Sequence, residues 1–180
     1  MNKKENKPQQ EVKTQDKSQK QPTESFISRG NGFSLRSRTG TWFECKVRYE
    51  KTQEDGMPKS VTETYVVDGA DFGDAFKGIS EYAIKNIADE FEIVAMKMAQ
   101  YAEIALYKSI GNVFYRVKIN MITIDEKTDK QKKTPMFLLV RADNINEARK
   151  AVDDEYMKGT MIDYEISSVV ETKIVEFHNS

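Results

Sequence analysis

Over residues 42–50 apolar and polar side chains alternate strictly. Phe43, Cys45, Val47 and Tyr49 point one way, and Trp42, Glu44, Lys46 and Arg48 the other. That period of two predicts a strand with one buried face. Glu54-Asp55-Gly56-Met57-Pro58 is a turn by composition, so residues 61–68 form the second arm of a hairpin. The period then changes. Asp71 is placed to cap a helix, with Asp74 in the position of a capping-box acid, and Ala75, Ile79, Tyr82 and Ala83 recur at core-facing spacing as far as about Ala88. Residues 91–106 read as one long third strand, with room for a bulge.

The same order then repeats. Residues 42–91 lie on residues 114–163 at a constant shift of 72, and one added residue brings Phe91-Glu92-Ile93 onto Tyr164-Glu165-Ile166. The second copy predicts a strand over 114–124, with Tyr115, Val117, Ile119 and Met121 inward, a polar loop over 125–133, and a strand over 136–141. A helix capped by Asp143 follows, with Ile145, Ala148, Val152 and Tyr156 inward, ended by Lys158-Gly159. A last strand covers 164–177. The unit is strand-strand-helix-strand, twice: a first repeat over 42–108 and a second over 112–178. Each is too small to cover its own sheet. Pooled, they predict an α+β fold with about six mostly antiparallel strands, two helices on one face, and the opposite face open.

Composition adds an arm to this body. Residues 1–24 are Lys, Gln, Glu, Thr and Ser with two prolines, and cannot bury enough surface to offset ordering, so a disordered basic arm and linker are expected over 1–41. Residues 1–41 carry nine positive and four negative side chains, and 42–180 carry nineteen and twenty-five. A net +5 arm therefore sits on a net −6 body. Residues 25–41 hold Arg29, Arg36, Arg38, Phe26 and Phe33 and no acid. This is a linker, an edge strand, or a segment that orders on a partner.

Enzyme chemistry finds little to stand on. The single cysteine, Cys45, lies on the apolar side of a strand, where an inert core thiol is expected; it also excludes a disulfide framework and a multi-cysteine metal site. The single histidine, His178, is third from the end. No phosphate-loop or dinucleotide fingerprint exists. Asp163 with Glu171-Thr172-Lys173 faintly matches an acid…Glu-x-Lys nuclease pattern, but Asp163 opens the strand instead of ending an earlier one. No catalytic residue, cofactor or metal is expected. No apolar run reaches about 18 residues and no apolar stretch follows the charged start, so neither a membrane span nor a signal peptide is expected, and a cytoplasmic setting is.

The open face carries the functional expectation. In both copies its first strand pairs an aromatic with basic side chains: Trp42, Lys46 and Arg48, then Phe114, Arg116 and Lys118. Lys97 and Tyr101 extend the surface, and Arg36 and Arg38 add to it from the arm. Aromatics that stack on bases beside cations that neutralise phosphate suit a single-stranded nucleic acid. The other reading covers Trp42 and Phe114 with the arm, the other half or a second subunit, which makes the chain a protein–protein module, for example a phage structural or host-interaction protein. A homodimer is left open.

Trp42-Phe43-Glu44-Cys45-Lys46-Val47-Arg48-Tyr49-Glu50-Lys51-Thr52, then Val61-Thr62-Glu63-Thr64-Tyr65-Val66-Val67-Asp68, and Met157-Lys158-Gly159-Thr160-Met161-Ile162-Asp163-Tyr164-Glu165-Ile166 with Glu171-Thr172, resemble a family of uncharacterised proteins from gut bacteroidete bacteria and their phages. The resemblance covers about residues 42–177 and brings no catalytic residues. Its phage context implies a replication or recombination accessory, such as a single-stranded DNA-binding protein.

Overall fold

A computed structural model describes residues 26–29, 33–37, 40–107 and 113–179. The expected disorder of residues 1–24, and Arg38, lie outside the described residues. Arg36 lies in a strand, and of this residue the backbone alone is described.

The fold is α+β and mostly strand. The strands are β1 (Phe26–Arg29), β2 (Phe33–Ser37), β3 (Thr41–Thr52), β4 (Pro58–Gly69), β5 (Phe91–Met98), β6 (Tyr101–Tyr107), β7 (Val113–Asp125), β8 (Lys130–Ala142), β9 (Asp163–Glu171) and β10 (Ile174–His178). Helix α1 spans Phe72–Asn86, and α2 spans Ile145–Lys150 and runs on as a π-helical segment, Ala151–Tyr156. The strands make two mixed sheets, not one antiparallel sheet. One has the order β1-β2-β6-β8-β7-β9 and the other β10-β4-β3-β5.

The correction originates at the third strand expected in each half of the chain. Residues 91–106 are not continuous. Ala99-Gln100 breaks them, β5 stays antiparallel on β3, and β6 crosses to lie parallel to β8. In the second half of the chain Thr172-Lys173 breaks the strand, β9 stays on β7, and β10 crosses to lie parallel to β4. Each break is pinned to a first strand. The Ala99 N–H donates to the Trp42 carbonyl at 2.7 Å and the Thr172 N–H to the Phe114 carbonyl at 2.8 Å.

The pairing registers also correct the alignment. Trp42 opposes Asp68 and Phe114 opposes Arg141, so the first strands match at 72 but the second strands at 73. The first hairpin turns through Glu54, Asp55 and Gly56, closed by the Gln53 N–H on the Met57 carbonyl, with Gly56 at φ 80°. The second hairpin turns through residues 126–129 and is one residue longer. Its charged flanks are strand, because both ends of β7 and β8 there stand in solvent. From this point the shift is 73 throughout. The helix caps are therefore Asp71, whose carboxylate accepts the Asp74 N–H, and Asn144, which accepts from Asn146 and Glu147. The expected cap Asp143 is one position early.

Three cores explain the layering. α1 sets Ala75 and Ile79 against Phe43, Cys45, Val47, Tyr65 and Val67 of the four-stranded sheet. The α2 segment sets Ala148, Ala151 and Val152 against Tyr115, Val117, Ile119, Leu138 and Val140 of the six-stranded sheet, where Phe33 and Leu35 of β2 also bury. Between the sheets lie Trp42, Val66, Ile104, Phe114 and Leu139. The sheets thus pack face to face, each with its helix outside, and not with both helices on one face of a single sheet. Ile145, expected inward, is half exposed at the first position of α2.

Candidate functional site

Every second residue of β3 and β7 faces the other sheet. Trp42 and Phe114 stand where the sheets touch and are 0% and 1% exposed. They cannot stack on a ligand, which overturns the expected role of both. Their burial has a simple cause: the sheet face opposite each helix is covered by the other sheet.

Outward along the same strands the sheets part. Glu44 is half-buried, and Lys46, Arg48 and Arg116 are exposed. A polar cleft opens there as two adjoining recesses of about 180 and 290 Å³ that share Glu44, Lys97, Tyr101 and Arg116. Gln100 and Phe137 complete the first recess, and Lys46, Thr64, Glu171, Thr172 and Lys173 line the second.

Glu44 is the fixed point. The Tyr101 hydroxyl donates to its Oε1 at 2.7 Å, and Lys97 Nζ lies 2.6 Å from its Oε2. Tyr101 is 3% exposed, so it orients Glu44 and offers no stacking face. Burial, then the hydrogen bond to Glu44, pushes its hydroxyl pKa well above the ordinary range, so Tyr101 remains a donor. The Arg116 guanidinium lies over the Phe137 ring, 5.9 Å from its centroid. None of the ion pairs among the described residues uses Lys46, Arg116 or Lys173.

Of the residues picked out in the sequence, Lys46, Lys97, Tyr101 and Arg116 therefore meet in one cleft. Arg48 does not join them; it pairs with Glu92 at 3.1 Å. Lys118 is half-buried further along β7 and does not line the recesses. Arg38 and the Arg36 side chain lie outside the described residues. Pattern reading misses Gln100 and Phe137, and it offers Glu171-Thr172-Lys173 only as a faint nuclease pattern. The two strand breaks bring Gln100 and Lys173 into the cleft, and neither break carries a Gly or Pro that would have marked it.

Cys45 and His178 do not line the recesses. Cys45 is fully buried, and burial, then the Glu44 charge, pushes its thiol up to about 12. His178 packs its ring against Tyr82, centroids 5.0 Å apart. Asp163 and Glu171 end opposite tips of β9, eight residues and about 26 Å apart at strand rise, so no nuclease pair forms between them. Among the described residues no group of three or more His, Cys, Asp or Glu side chains is placed to hold a metal ion. No helix among them is long and apolar enough to cross a membrane.

A family model described as a domain of unknown function (DUF4494) matches residues 41–180. No curated protein and no solved structure was found to match the chain.

Proposed function

We propose that this chain, which belongs to the DUF4494 family of domains of unknown function, is a non-enzymatic accessory that binds the phosphate backbone of a single-stranded nucleic acid in the cleft between its sheets. The observation that carries this reading is the convergence of Lys46, Arg116 and Lys173, all without an ion-pair partner among the described residues, in a concave site on a body of net charge −6. Lys46, Lys97, Arg116 and Lys173 against Glu44 and Glu171 make the cleft positive where the body is negative. A recess this narrow suits one strand better than a duplex. The basic arm adds a second, sequence-independent attraction.

The repeated registers at 72 and 73 also support an internal duplication, in which the cleft lies between the two copies. With the resemblance to bacteroidete and phage proteins, this favours single-stranded DNA in replication or recombination, in the host cytoplasm.

Fluorescence polarisation with labelled single-stranded DNA, duplex DNA and RNA tests the reading at two salt concentrations. Single strands should bind tightest, and added salt should weaken binding. A Lys46→Glu, Arg116→Glu double variant that melts like the wild type should lose about tenfold or more, in line with phosphate contacts of order 1 kcal/mol each with sign reversal added. No binding at low salt, or equal binding by the double variant, overturns it.

A second reading has its own observation. Phe72, Phe76 and Ile84 of α1 are 50%, 53% and 60% exposed, apolar area that a protein partner could cover. Light scattering that shows a dimer, abolished by Phe76→Ser with nucleic-acid binding absent, would favour it.

A further inference from the structure

We propose that the smaller recess is a base pocket that takes one flipped-out cytosine-like ring, a single ring with an exocyclic amino group; this rests on the nucleic-acid reading above. The two recesses share a wall of Glu44, Lys97, Tyr101 and Arg116, and Lys46 and Lys173, which have no ion-pair partner among the described residues, lie in the second. Because the recesses adjoin, a phosphate held by those cations has the first recess beside it for its base.

Three features of the smaller recess select what enters. Its size, about 180 Å³, is close to the roughly 150 Å³ cavity that accommodates a benzene ring, so it holds one ring and not a stacked pair. Arg116 and Phe137 both line it, the guanidinium carbon 5.9 Å from the ring centroid, and a planar guanidinium is a group on which a base stacks. This stacking role replaces the one Trp42 and Phe114 cannot play. Its polar end is the Glu44 carboxylate. A carboxylate accepts about four hydrogen bonds, and Tyr101 and Lys97 occupy one site on each oxygen, so each oxygen keeps acceptor capacity. Acceptor-only chemistry favours the amino group of cytosine, the pairing that acidic side chains make with that base. Thymine presents two carbonyl oxygens flanking its one N–H, and those would face the carboxylate. The repeat symmetry is broken at this position: Glu44 and Arg116 are counterparts at the shift of 72, so the two copies supply different halves of one pocket.

The experiment compares oligo-dC and oligo-dT of equal length by fluorescence polarisation, for the wild type and Glu44→Gln, each at two salt concentrations. Oligo-dC should bind about fivefold or more tighter, the low end of one direct base-edge contact. Glu44→Gln offers both a donor and an acceptor and frees Lys97 from its ion pair, so it should erase the preference while oligo-dT affinity holds or rises. As a measurement independent of the variant's folding, free dCMP should displace labelled oligo-dC from the wild type at concentrations where dTMP does not. Equal, salt-sensitive binding of both oligomers overturns the base pocket and leaves the backbone reading standing. A cytosine preference that survives Glu44→Gln moves the pocket away from Glu44 and overturns it too. Failure of both oligomers to bind overturns both readings.

Discussion

Trp42 is the residue at which polarity and position conflict. It is 0% exposed, and its indole Nε1 is buried with no hydrogen-bond partner. An orphaned buried donor costs about 1–3 kcal/mol. Phe114 of β7 buries in the same core between the sheets with no polar atom. Trp42→Phe should therefore lose the larger ring's contacts but shed the orphan, and stay within about 1 kcal/mol of the wild type in urea unfolding, whereas Trp42→Ala should cost about 3–5 kcal/mol. A loss above about 3 kcal/mol in the Phe variant would mean that the indole N–H has a partner. The same burial predicts that an oligonucleotide in the cleft leaves Trp42 emission unchanged. His178 is the second such residue. Burial lowers its pKa below the ordinary 6.5, with Glu81 working against that shift, Lys85 adding to it, and the Tyr82 ring stacked on the imidazole. The unfolded chain then takes up a proton near pH 6.5 that the folded chain refuses. The contribution of neutral His178 is complete above that pH and declines as pH falls below it. Urea midpoints at pH 7.5 and 5.5 should drop more for the wild type than for His178→Phe; equal drops would count against a buried neutral imidazole.

At the scale of elements, local pattern and local structure agree wherever one layer decides the outcome. Phe43, Cys45 and Val47 alternate as a buried face must, and all three are buried under α1. The spacing of Ala75, Ile79 and Ala83 likewise marks the helix face that packs. Agreement ends where a second layer intervenes. Period-two alternation separates two faces but carries no information on what covers the second. Trp42 and Phe114 therefore read as a ligand platform, although a large aromatic on a nominally open face also signals a missing cover. The one-residue slip in the alignment of the two halves has a related cause. Apolar runs such as Tyr65-Val66-Val67 and Phe137-Leu138-Leu139 align almost as well one position apart, and only cross-strand pairing distinguishes 72 from 73. The cap exchange from Asp143 to Asn144 follows, since either side chain can cap a helix. The π-helical segment after α2 has no counterpart in α1, and it leaves Met157 buried while its 73-shifted counterpart Ile84 is exposed. The cleft was half readable. Lys46, Lys97, Tyr101 and Arg116 stand on strands whose alternation could be followed, whereas Gln100 and Lys173 arrive through breaks with no sequence punctuation.

The whole molecule is joined by exchange. β6 leaves the first half of the chain to pair with β8 of the second, and β10 leaves the second half to pair with β4 of the first. The core between the sheets draws Trp42, Val66 and Ile104 from one half and Phe114, Leu139 and Ile174 from the other. Neither half alone can close its sheet or cover its inner face, so each would expose an apolar surface and a strand edge to water. The folding unit is the pair, and the cleft, assembled from both, exists only when the exchange is complete. Residues 26–107 and 113–180 produced as separate polypeptides should each lack a cooperative urea transition, and mixing them should restore one transition together with the binding of the intact chain. The exchanged strands carry this prediction directly. Deleting β10 from the second fragment should abolish recovery, because Val66 and Phe114 would lose the side chains of Ile174 and Phe177 that cover them. Independent cooperative folding of either fragment would show instead that the two sheets are separate units and that the cleft between them is not part of one cooperative core.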